Sequence, residues 1–329
     1  MTEFELIQRF FTGMPKGADV ALGVGDDCAL VRLNDQDHLA ISTDTLVEGR
    51  HFPEHYPPGW IAARALGAAA SDLAAMGATP VGCLLALTLP QADSEWLSKF
   101  SEAFRSCAER WSIPLLGGDT TGGRLQLTVT VLGRVDVSRV LLRSGASAGE
   151  DLWVSGKLGE AAGALKYRLA DPESRYDFGE QGPISRLLDR YDMPAPRLAL
   201  GQWLLGRASA AIDISDGLVA DVGHLCRLSG VGAEIQLESL PVSESLSLLY
   251  SPHDVEKHAL YGGDDYELCF SAPVHLRGEL SRAPYQLSRI GHLTVGHELI
   301  LRREGKAVKP SGSGFDHFGL VPGGHCDVI

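Results

Sequence analysis

Apolar and polar residues along this chain alternate with periods that predict strands and helices in turn. In the first half, the predicted elements lie at residues 38–42, 59–76, 81–89, 94–110, 113–116 and 125–135. The segment 125–135 alternates over its whole length, as a strand with one buried face does. The helix at 59–76 is rich in alanine and glycine, which permit close packing, so we expect it to be buried.

A polar segment of small residues at 136–150 separates this half from a second series of elements. The predicted strands and helices resume at 151–155, 159–169, 195–206, 210–214, 217–228, 233–237, 266–271, 286–290 and 298–302. A chain of 329 residues exceeds the usual size of a single core. The pattern therefore predicts an α/β (α+β) fold with two α/β domains, residues 1–140 and 141–329.

The net charge of the chain makes some classes of binding partner less suitable than others. A formal charge of −13 argues against a nucleic-acid backbone or an anionic membrane as the main partner. An acidic enzyme still binds anionic nucleotides when metal ions invert the local field. Part of the negative charge is therefore expected to belong to a metal site.

Cysteine usage and hydropathy indicate the compartment. The six cysteines are isolated and form no Cys-x-x-Cys pair, which favours reduced thiols in the cytoplasm. The first residues have no basic segment followed by an apolar core, so no signal peptide is predicted. No apolar stretch reaches about 18 residues, so no membrane span is expected. We expect a cytoplasmic protein.

Aspartate-bearing segments are the main chemical signal in the sequence. They occur at 23–27, 42–45, 72, 117–121, 213–217 and 262–265, mostly beside glycine or hydroxyl residues. Carboxylates and hydroxyls are the hard oxygen ligands that suit Mg²⁺. Glycine allows backbone N–H groups to approach an anion closely. Together these segments predict a site where several Mg²⁺ ions hold phosphates, and hence phosphoryl transfer.

Each aspartate also has an ordinary structural explanation. A single Asp-Gly or Gly-Gly-Asp is first a turn signal. Asp44 follows a predicted strand end, where ligands of α/β sheets bind. Asp72 lies in a helix of small residues and needs a partner, which is either a ligand or a structural hydrogen bond. Asp216 is either a ligand or the N-cap of the following helix.

Other motifs match only in part. Residues 23–28 lack the third glycine of a dinucleotide fingerprint, and 156–158 lack the Ser/Thr of a Walker A loop. Residues 213–217 place the glycine one position early for an EF-hand. His51 and His55 flank Pro53, which breaks the helix that would align them on zinc.

Six of these segments, taken in order, resemble one enzyme family. They read Gly-Val-Gly-Asp-Asp (23–27), Ser-Thr-Asp-Thr-Leu-Val-Glu-Gly-Arg-His-Phe (42–52), Ser-Asp-Leu-Ala-Ala-Met-Gly-Ala-Thr-Pro (71–80), Gly-Gly-Asp-Thr-Thr (117–121), Asp-Ile-Ser-Asp-Gly-Leu (213–218) and Tyr-Gly-Gly-Asp-Asp-Tyr-Glu-Leu (261–268). This set is similar to thiamine-monophosphate kinases. That family belongs to an ATP-binding superfamily with aminoimidazole ribonucleotide synthetase and selenophosphate synthetase. The resemblance runs from near residue 4 to Phe318.

The resemblance implies a fold, an assembly and a set of site residues. The strands of the N-terminal domain would pair across a homodimer into a barrel-like sheet. The implied Mg²⁺ ligands are Asp27, Ser42, Thr43, Asp44, Asp72, Asp119, Asp213 and Asp216, of which Asp44, Asp72 and Asp119 are also the catalytic candidates. The implied ATP contacts are Gly118, Asp119, Arg143 and Ser215, and the implied thiamine monophosphate contacts are His51, Asp264 and Phe315.

One position departs from the family pattern, and three have ordinary alternatives. The family has glutamate where this chain has Asp264, which is one methylene shorter, so that contact is expected to be looser or water-mediated. His51 could cap a loop, Phe315 could belong to the core, and Arg143 could be an exposed charge.

The implied reaction is ATP + thiamine monophosphate → ADP + thiamine diphosphate, the last step of thiamine diphosphate biosynthesis. The cofactors are several Mg²⁺ ions, with ATP as co-substrate. Within the superfamily, selenophosphate synthetase needs a reactive Cys near a Lys, which Cys28 does not have. The carbamoyl-dehydrating member ends in Cys, whereas three residues follow Cys326 here. Aminoimidazole ribonucleotide synthetase has Gly-Gly-Glu-Thr where this chain has Gly-Gly-Asp-Thr at 117–120. A non-catalytic metal or nucleotide sensor is the alternative from another class.

Overall fold

A six-stranded sheet is built from the first half of the chain. The computed structural model describes residues 20–22, 26–172, 182–310, 312 and 314–315. The strands are β1 (Val20–Leu22), β2 (Ala29–Arg32), β3 (Asp37–Val47), β4 (Thr79–Leu89), β5 (Leu115–Gly122) and β6 (Gln126–Asp136). They lie in the order β1-β2-β3-β6-β4-β5, and all neighbours are antiparallel except β4 and β5.

Two helices cover one face of this sheet. Helix α1 (Pro58–Ala75) begins with proline, whose fixed φ suits the first helical turn. Helix α2 (Ser94–Trp111) packs against α1 and is capped by Asp93, which accepts hydrogen bonds from the backbone N–H groups of Glu95 and Trp96. The helices predicted at 59–76 and 94–110 are thereby confirmed.

A seven-stranded sheet is built from the second half. Its strands are β7 (Asp151–Ser155), β8 (Ala210–Asp213), β9 (Gly232–Gln236), β10 (Leu268–Ala272), β11 (Leu287–Thr294), β12 (Leu299–Arg303) and β13 (Lys306–Val308). They lie in the order β13-β12-β9-β11-β7-β10-β8, with β9 and β12 parallel and the other pairs antiparallel. The mixed α/β class is confirmed, and the division into two domains stays a prediction.

Seven helices accompany the second sheet in the described part of the chain. They are α3 (Glu160–Ala170), α4 (Pro183–Asp192), α5 (Leu198–Leu204), α6 (Leu218–Ser229), α7 (Glu244–Leu249), α8 (Pro252–Tyr261) and α9 (Arg277–Leu280). Single 3₁₀ turns occur at Leu237–Ser239 and Val274–Leu276. No helix among the described residues is both long enough and apolar enough to cross a bilayer.

Helix α1 lies between the two halves and contacts both. It packs against β3 and β6 on one side and against β8, α4 and α5 on the other. A Cβ at Gly67 would collide with the Pro194 carbonyl oxygen, and one at Gly201 would collide with the carbonyl of Ala74. The small residues of α1 therefore permit close backbone contact on several sides, which confirms that this helix is buried.

The segment containing Ser42, Thr43 and Asp44 differs from the prediction. It was expected to be a turn after a strand ending at residue 42, but β3 continues through it to Val47. The expectation was wrong because all 11 residues of β3 pair with β6. Long-range pairing of this kind overrides the local turn tendency of the polar residues.

The segment Gly117–Thr121 was also expected to be a loop and is instead part of β5. It pairs in parallel with β4 at the edge of the first sheet. A Cβ at Gly118, which has φ 156°, would overlap the Leu85 carbonyl oxygen. Gly118 therefore has a structural reason to be glycine, because the strands approach closely there.

Seven elements were not predicted from the sequence, namely β1, β2, β13, α4, α7, α8 and α9. Most of the other predicted elements are confirmed, with their ends shifted by a few residues. The glycines of the 23–27 motif, together with Phe318 and Cys326, lie outside the described residues. The five described cysteines are buried and free, as expected for reduced thiols.

Candidate active site

A cavity of about 780 Å³ is lined by residues from both halves of the chain. The first half contributes β3, the turn after it and one face of α1. The second half contributes α3, α4 and the segments that follow β8 and α8. Of the fourteen predicted site residues, nine line this cavity: Thr43, Asp44, His51, Asp72, Asp213, Ser215, Asp216, Asp264 and Phe315.

Three carboxylates from distant parts of the sequence converge at one end of the cavity. Asp27, Asp72 and Asp213 each offer an oxygen, and these oxygens lie within 4.8 Å of one another. Asp27 lies just before β2, Asp72 lies on α1, and Asp213 is the last residue of β8. The contacts of α1 with β3 and with β8 bring the three together. We call Asp27, Asp72 and Asp213 the carboxylate cluster.

Neighbouring residues of β3 extend the carboxylate cluster. Ser42 donates a hydrogen bond from Oγ to Asp72. Asp44 is two residues further along β3, on the same face as Ser42, and it lines the cavity. The structural alternative for Asp72, a hydrogen bond, is therefore realised with Ser42, but this bond leaves three carboxylates close together.

The cluster carries more negative charge than its protein partners neutralise. Burial, followed by the charge of Asp44, raises the pKa of Asp72 well above its ordinary value. Burial and the charge of Asp27 do the same to the pKa of Asp213. The pKa of Asp26 is raised to about 7, chiefly by burial and then by Asp27. A divalent cation would remove this repulsion, and carboxylate and hydroxyl oxygens are the ligands that Mg²⁺ accepts. The residues therefore fit the predicted metal.

Arg143 is the cation beside the carboxylate cluster. Its Nε and Nη2 atoms donate to the two carboxylate oxygens of Asp27 at 2.8 and 2.7 Å. Its backbone N–H donates to Asp26 at 3.2 Å, and its carbonyl accepts from the Ser229 hydroxyl at 2.7 Å. The alternative that Arg143 is an exposed surface charge is wrong, because these contacts bury it at the edge of the cluster.

The loop after β8 is held by a carboxylate that the sequence did not single out. Asp221 on α6 accepts hydrogen bonds from the backbone N–H groups of Ser215, Asp216 and Gly217 at 3.1 to 3.2 Å. Gly217, with φ 117°, is the N-cap residue of α6 and contributes no side-chain cap. The alternative that Asp216 is the N-cap is therefore wrong, and Asp216 lines the cavity instead.

Another part of the cavity lining is a connected polar and aromatic group. Arg64 on α1 donates from Nη2 to Asp264 at 2.9 Å, and Tyr266 donates its hydroxyl to the other Asp264 oxygen at 2.8 Å. The guanidinium of Arg64 also stacks over the Tyr191 ring, 3.9 Å from its centroid. We call Arg64, Tyr191, Asp264 and Tyr266 the arginine wall.

His51 and Phe315 lie beside this wall. The Nδ1 atom of His51 accepts a hydrogen bond from the Val47 backbone N–H at 3.0 Å, so a neutral His51 carries its proton on Nε2. This bond closes the turn after β3, as the loop-capping alternative suggested. Phe315 is half-buried, and the guanidinium of Arg50 lies 5.0 Å from its ring centroid. A cation therefore already occupies one face of this ring.

One predicted residue that lines the cavity, Thr43, has a side chain that faces away from Asp72, and two others lie outside the cavity. The Thr43 side chain lies on the face of β3 opposite Asp72, where its hydroxyl contacts that of Thr130 at 2.9 Å. Asp119 is exposed on the edge strand β5, in register with Ala86, Thr128 and Thr45. Three strand spacings, about 14 Å, thus separate Asp119 from Thr45. Gly118 lies on the same edge strand, so neither β5 residue lines the described cavity.

Two kinds of site residue were missed from the sequence. Arg64 is four residues before Ala68 and eight before Asp72, and all three line one face of α1. Arg64 could have been identified from the sequence, because it is a second charged residue in an alanine-rich helix and its spacing places it on the same face as Asp72. Tyr191 gave no signal, because its role follows from packing against residues distant in sequence.

Comparisons with known proteins give consistent results. The family model for the N-terminal domain of AIR synthase related protein matches residues 25–135. The thiamine-monophosphate kinase of Escherichia coli K12 is 42% identical over 322 residues, covering 96% of this chain and 98% of that protein. Its counterpart in Haemophilus influenzae is 40% identical over 327 residues, covering 97% and 98%.

Solved structures show the same architecture. The crystal structure of thiamine-monophosphate kinase from Stenotrophomonas maltophilia K279a is 40% identical, with a TM-score of 0.78 over 89% of this chain and 93% of that one. The structure of AaThiL complexed with AMPPCP and TMP is 30% identical, with a TM-score of 0.83 over 96% and 97%. With relatives this similar over nearly the whole length, the chain belongs to the thiamine-monophosphate kinase family.

Proposed function

We propose that this protein transfers the γ-phosphoryl group of ATP to thiamine monophosphate, producing ADP and thiamine diphosphate. The observation that carries the proposal is the convergence of Asp27, Asp72 and Asp213 at one end of a cavity lined by both halves. The family relatives support the same activity, as does a relative's structure with AMPPCP and TMP. Together they favour a phosphotransferase that uses a phosphate group as acceptor.

Charge repulsion between two polyanionic substrates is the main obstacle to this reaction. Mg²⁺ bound at the site would neutralise the donor and acceptor phosphates and hold them in line. The residues proposed to bind these ions are Asp27, Ser42, Thr43, Asp44, Asp72, Asp119, Asp213 and Asp216. Of the proposed catalytic residues, Asp72 belongs to the carboxylate cluster and Asp44 lies beside it on β3, and their proposed role is to fix positions rather than to move protons.

We propose direct transfer with no phosphorylated enzyme intermediate and no side-chain general base. The acceptor phosphate has a second pKa of about 6, so it is largely dianionic at neutral pH and needs no deprotonation. Cys28, beside the carboxylate cluster, is not a suitable nucleophile. Burial and the charges of Asp72 and Asp27 raise its thiol pKa well above the ordinary value, so the thiol stays protonated.

ATP and thiamine monophosphate are proposed to occupy different sides of the cavity. Arg143, held against Asp27, and Ser215, in the loop fixed by Asp221, are proposed ATP contacts. Gly118 is also a proposed ATP contact, but it lies on the exposed edge strand β5 outside this cavity, so its role depends on a second copy of the chain. His51, Asp264 and Phe315 are the proposed contacts to thiamine monophosphate. An aromatic ring that already stacks against a guanidinium suits the cationic thiazolium of that substrate.

We also propose that the working form is a cytoplasmic homodimer joined through the first sheet. The face of this sheet opposite α1 carries Leu84, which is 41% exposed, and the edge strand β5 carries Leu115 and Leu116, which are 51% and 57% exposed. An apolar surface of this kind is typical of an interface. The role proposed for Asp119 depends on the dimer, because Asp119 lies on the exposed edge strand. Light scattering that gives a monomer mass at micromolar concentration would contradict the proposal.

The decisive experiment measures product formation with matched acceptors. Purified protein, ATP and Mg²⁺ are incubated with thiamine monophosphate or with thiamine, and thiamine diphosphate and ADP are separated by chromatography. We expect both products with thiamine monophosphate, and neither with thiamine or with Mg²⁺ replaced by a chelator. Efficient turnover of thiamine would overturn the assignment. Nucleotide binding without ADP release would favour the non-catalytic sensor.

A further inference from the structure

We propose that Arg64 is the positioning residue for the acceptor side of the cavity, and that it sets the affinity for thiamine monophosphate without contacting ATP. The inference rests on the proposed function, and it concerns a residue to which the family resemblance gave no role. Arg64 lies on α1, two helical turns before Asp72, so one helix face supplies both a member of the carboxylate cluster and the centre of the arginine wall.

The contacts of Arg64 join three separate segments of the cavity lining. Nη2 donates to Asp264 at 2.9 Å and to the His51 carbonyl at 3.2 Å. Nη1 donates to the Tyr191 carbonyl at 2.6 Å, and the guanidinium plane stacks on the Tyr191 ring. Two of the three proposed acceptor contacts, His51 and Asp264, are therefore held by one side chain.

Asp264 depends on this arrangement more than an ordinary surface carboxylate does. Its backbone has φ 66° and Tyr266 has φ 49°, so the segment turns sharply through left-handed conformations. The backbone N–H of Asp264 donates to the Ser215 carbonyl at 2.9 Å, which fixes the main chain. Arg64 and Tyr266 then take one carboxylate oxygen each, which fixes the side chain. The shorter carboxylate is therefore held firmly by the protein, and the expectation that its contact with thiamine monophosphate is looser or water-mediated stays a prediction.

Arginine is suited to this task and lysine is not. A guanidinium is planar, presents several donors in a fixed fork and stacks on an aromatic face. The three acceptors of Arg64 lie on separate segments, and a single ammonium cannot reach all of them in the same geometry. Arg64→Lys keeps the charge but should release His51, Asp264 or the Tyr191 ring.

A matched control is present in the same region. Arg168 on α3 is also buried, is also paired with an aspartate, Asp192, and also stacks on an aromatic ring, with its guanidinium 4.1 Å from the centroid of Trp60. Neither Arg168 nor Asp192 lines the cavity. Arg168→Lys therefore disrupts a buried pair of the same chemistry that does not line the cavity, and because Asp192 directly follows Tyr191 on α4, it also controls for indirect disturbance of the arginine wall.

The experiment compares steady-state constants of wild type, Arg64→Lys, Arg64→Gln and Arg168→Lys, with melting temperature measured for each. We expect both Arg64 variants to raise KM for thiamine monophosphate by about tenfold or more, the scale of losing a hydrogen bond to a charged group. KM for ATP should stay within about twofold, as for a group that contacts only one substrate. Arg168→Lys should lower the melting temperature and leave both KM values unchanged.

A double variant tests the coupling directly. Adding Arg64→Lys to Asp264→Asn should raise KM for thiamine monophosphate less than Arg64→Lys does in wild type, because the carboxylate that Arg64 positions is already lost.

Three outcomes would overturn the inference. The first is an unchanged KM for thiamine monophosphate in a folded Arg64 variant. The second is an equal change in the KM values for both substrates. The third is loss of folding in both Arg64 variants, which would assign Arg64 a structural role. Wild-type protein that fails to turn over thiamine monophosphate would instead overturn the proposed function, whatever the variants do.

Discussion

The two sides of the cavity handle charge in opposite ways. In the carboxylate cluster, buried aspartates lie close together, and burial and mutual repulsion raise the pKa values of Asp72 and Asp213. In the arginine wall, Asp264 has a donor on each oxygen and a cation at 2.9 Å. The cluster needs further positive charge, whereas the wall is already neutralised. The difference supports the proposal that one side receives metal ions with phosphates and that the other holds a rigid surface for an organic ring.

The largest effect is expected from removing charge in the carboxylate cluster. Asp72→Asn and Asp213→Asn should each lower kcat by at least about 10²-fold, the scale of losing a stabiliser of transition-state charge. Asp44→Asn should act in the same direction. Asp35→Asn, at an exposed position in the turn between β2 and β3, is the matched control and should leave kcat unchanged. Near-normal kcat in Asp72→Asn at saturating Mg²⁺ would make this aspartate structural.

The effect at the other side should appear in KM rather than in kcat. Phe315→Ala should raise KM for thiamine monophosphate by about tenfold, because stacking on a heteroaromatic cation is lost. KM for ATP should hardly change, and Phe315→Tyr, which keeps the ring, should restore the wild-type constant. Equal changes in both KM values would argue that Phe315 serves packing instead.

The residues of the carboxylate cluster could be predicted from the sequence, whereas the contacts of the arginine wall could not. Asp27, Asp72 and Asp213 each lie in a short, recognisable segment, so they were identified before the structure placed them together. The pair Arg64 and Asp264 is separated by 200 residues and has no local pattern that joins its members. The continuation of β3 and β5 through their polar segments was also missed, because pairing with distant strands decided it.

Stability without divalent ions should separate the two sides by the sign of the change. Asp72→Asn removes a buried negative charge from a like-charged cluster, so its melting temperature should equal or exceed that of wild type. Asp264→Asn leaves Arg64 buried without its carboxylate, so its melting temperature should fall. Thermal denaturation in a chelating buffer measures both. A lower melting temperature for Asp72→Asn would mean that the cluster is already neutralised within the protein.

The most direct test measures the rise in melting temperature that Mg²⁺ causes. It compares wild type with two variants: the double variant Asp72→Asn/Asp213→Asn, and Asp264→Asn. A ligand that binds only the folded state raises its stability, so the rise reports binding at the cluster. We predict a clear rise in wild type and in Asp264→Asn, and little or none in the double variant. A rise of the same size in all three proteins would contradict the assignment of the carboxylate cluster as the metal site.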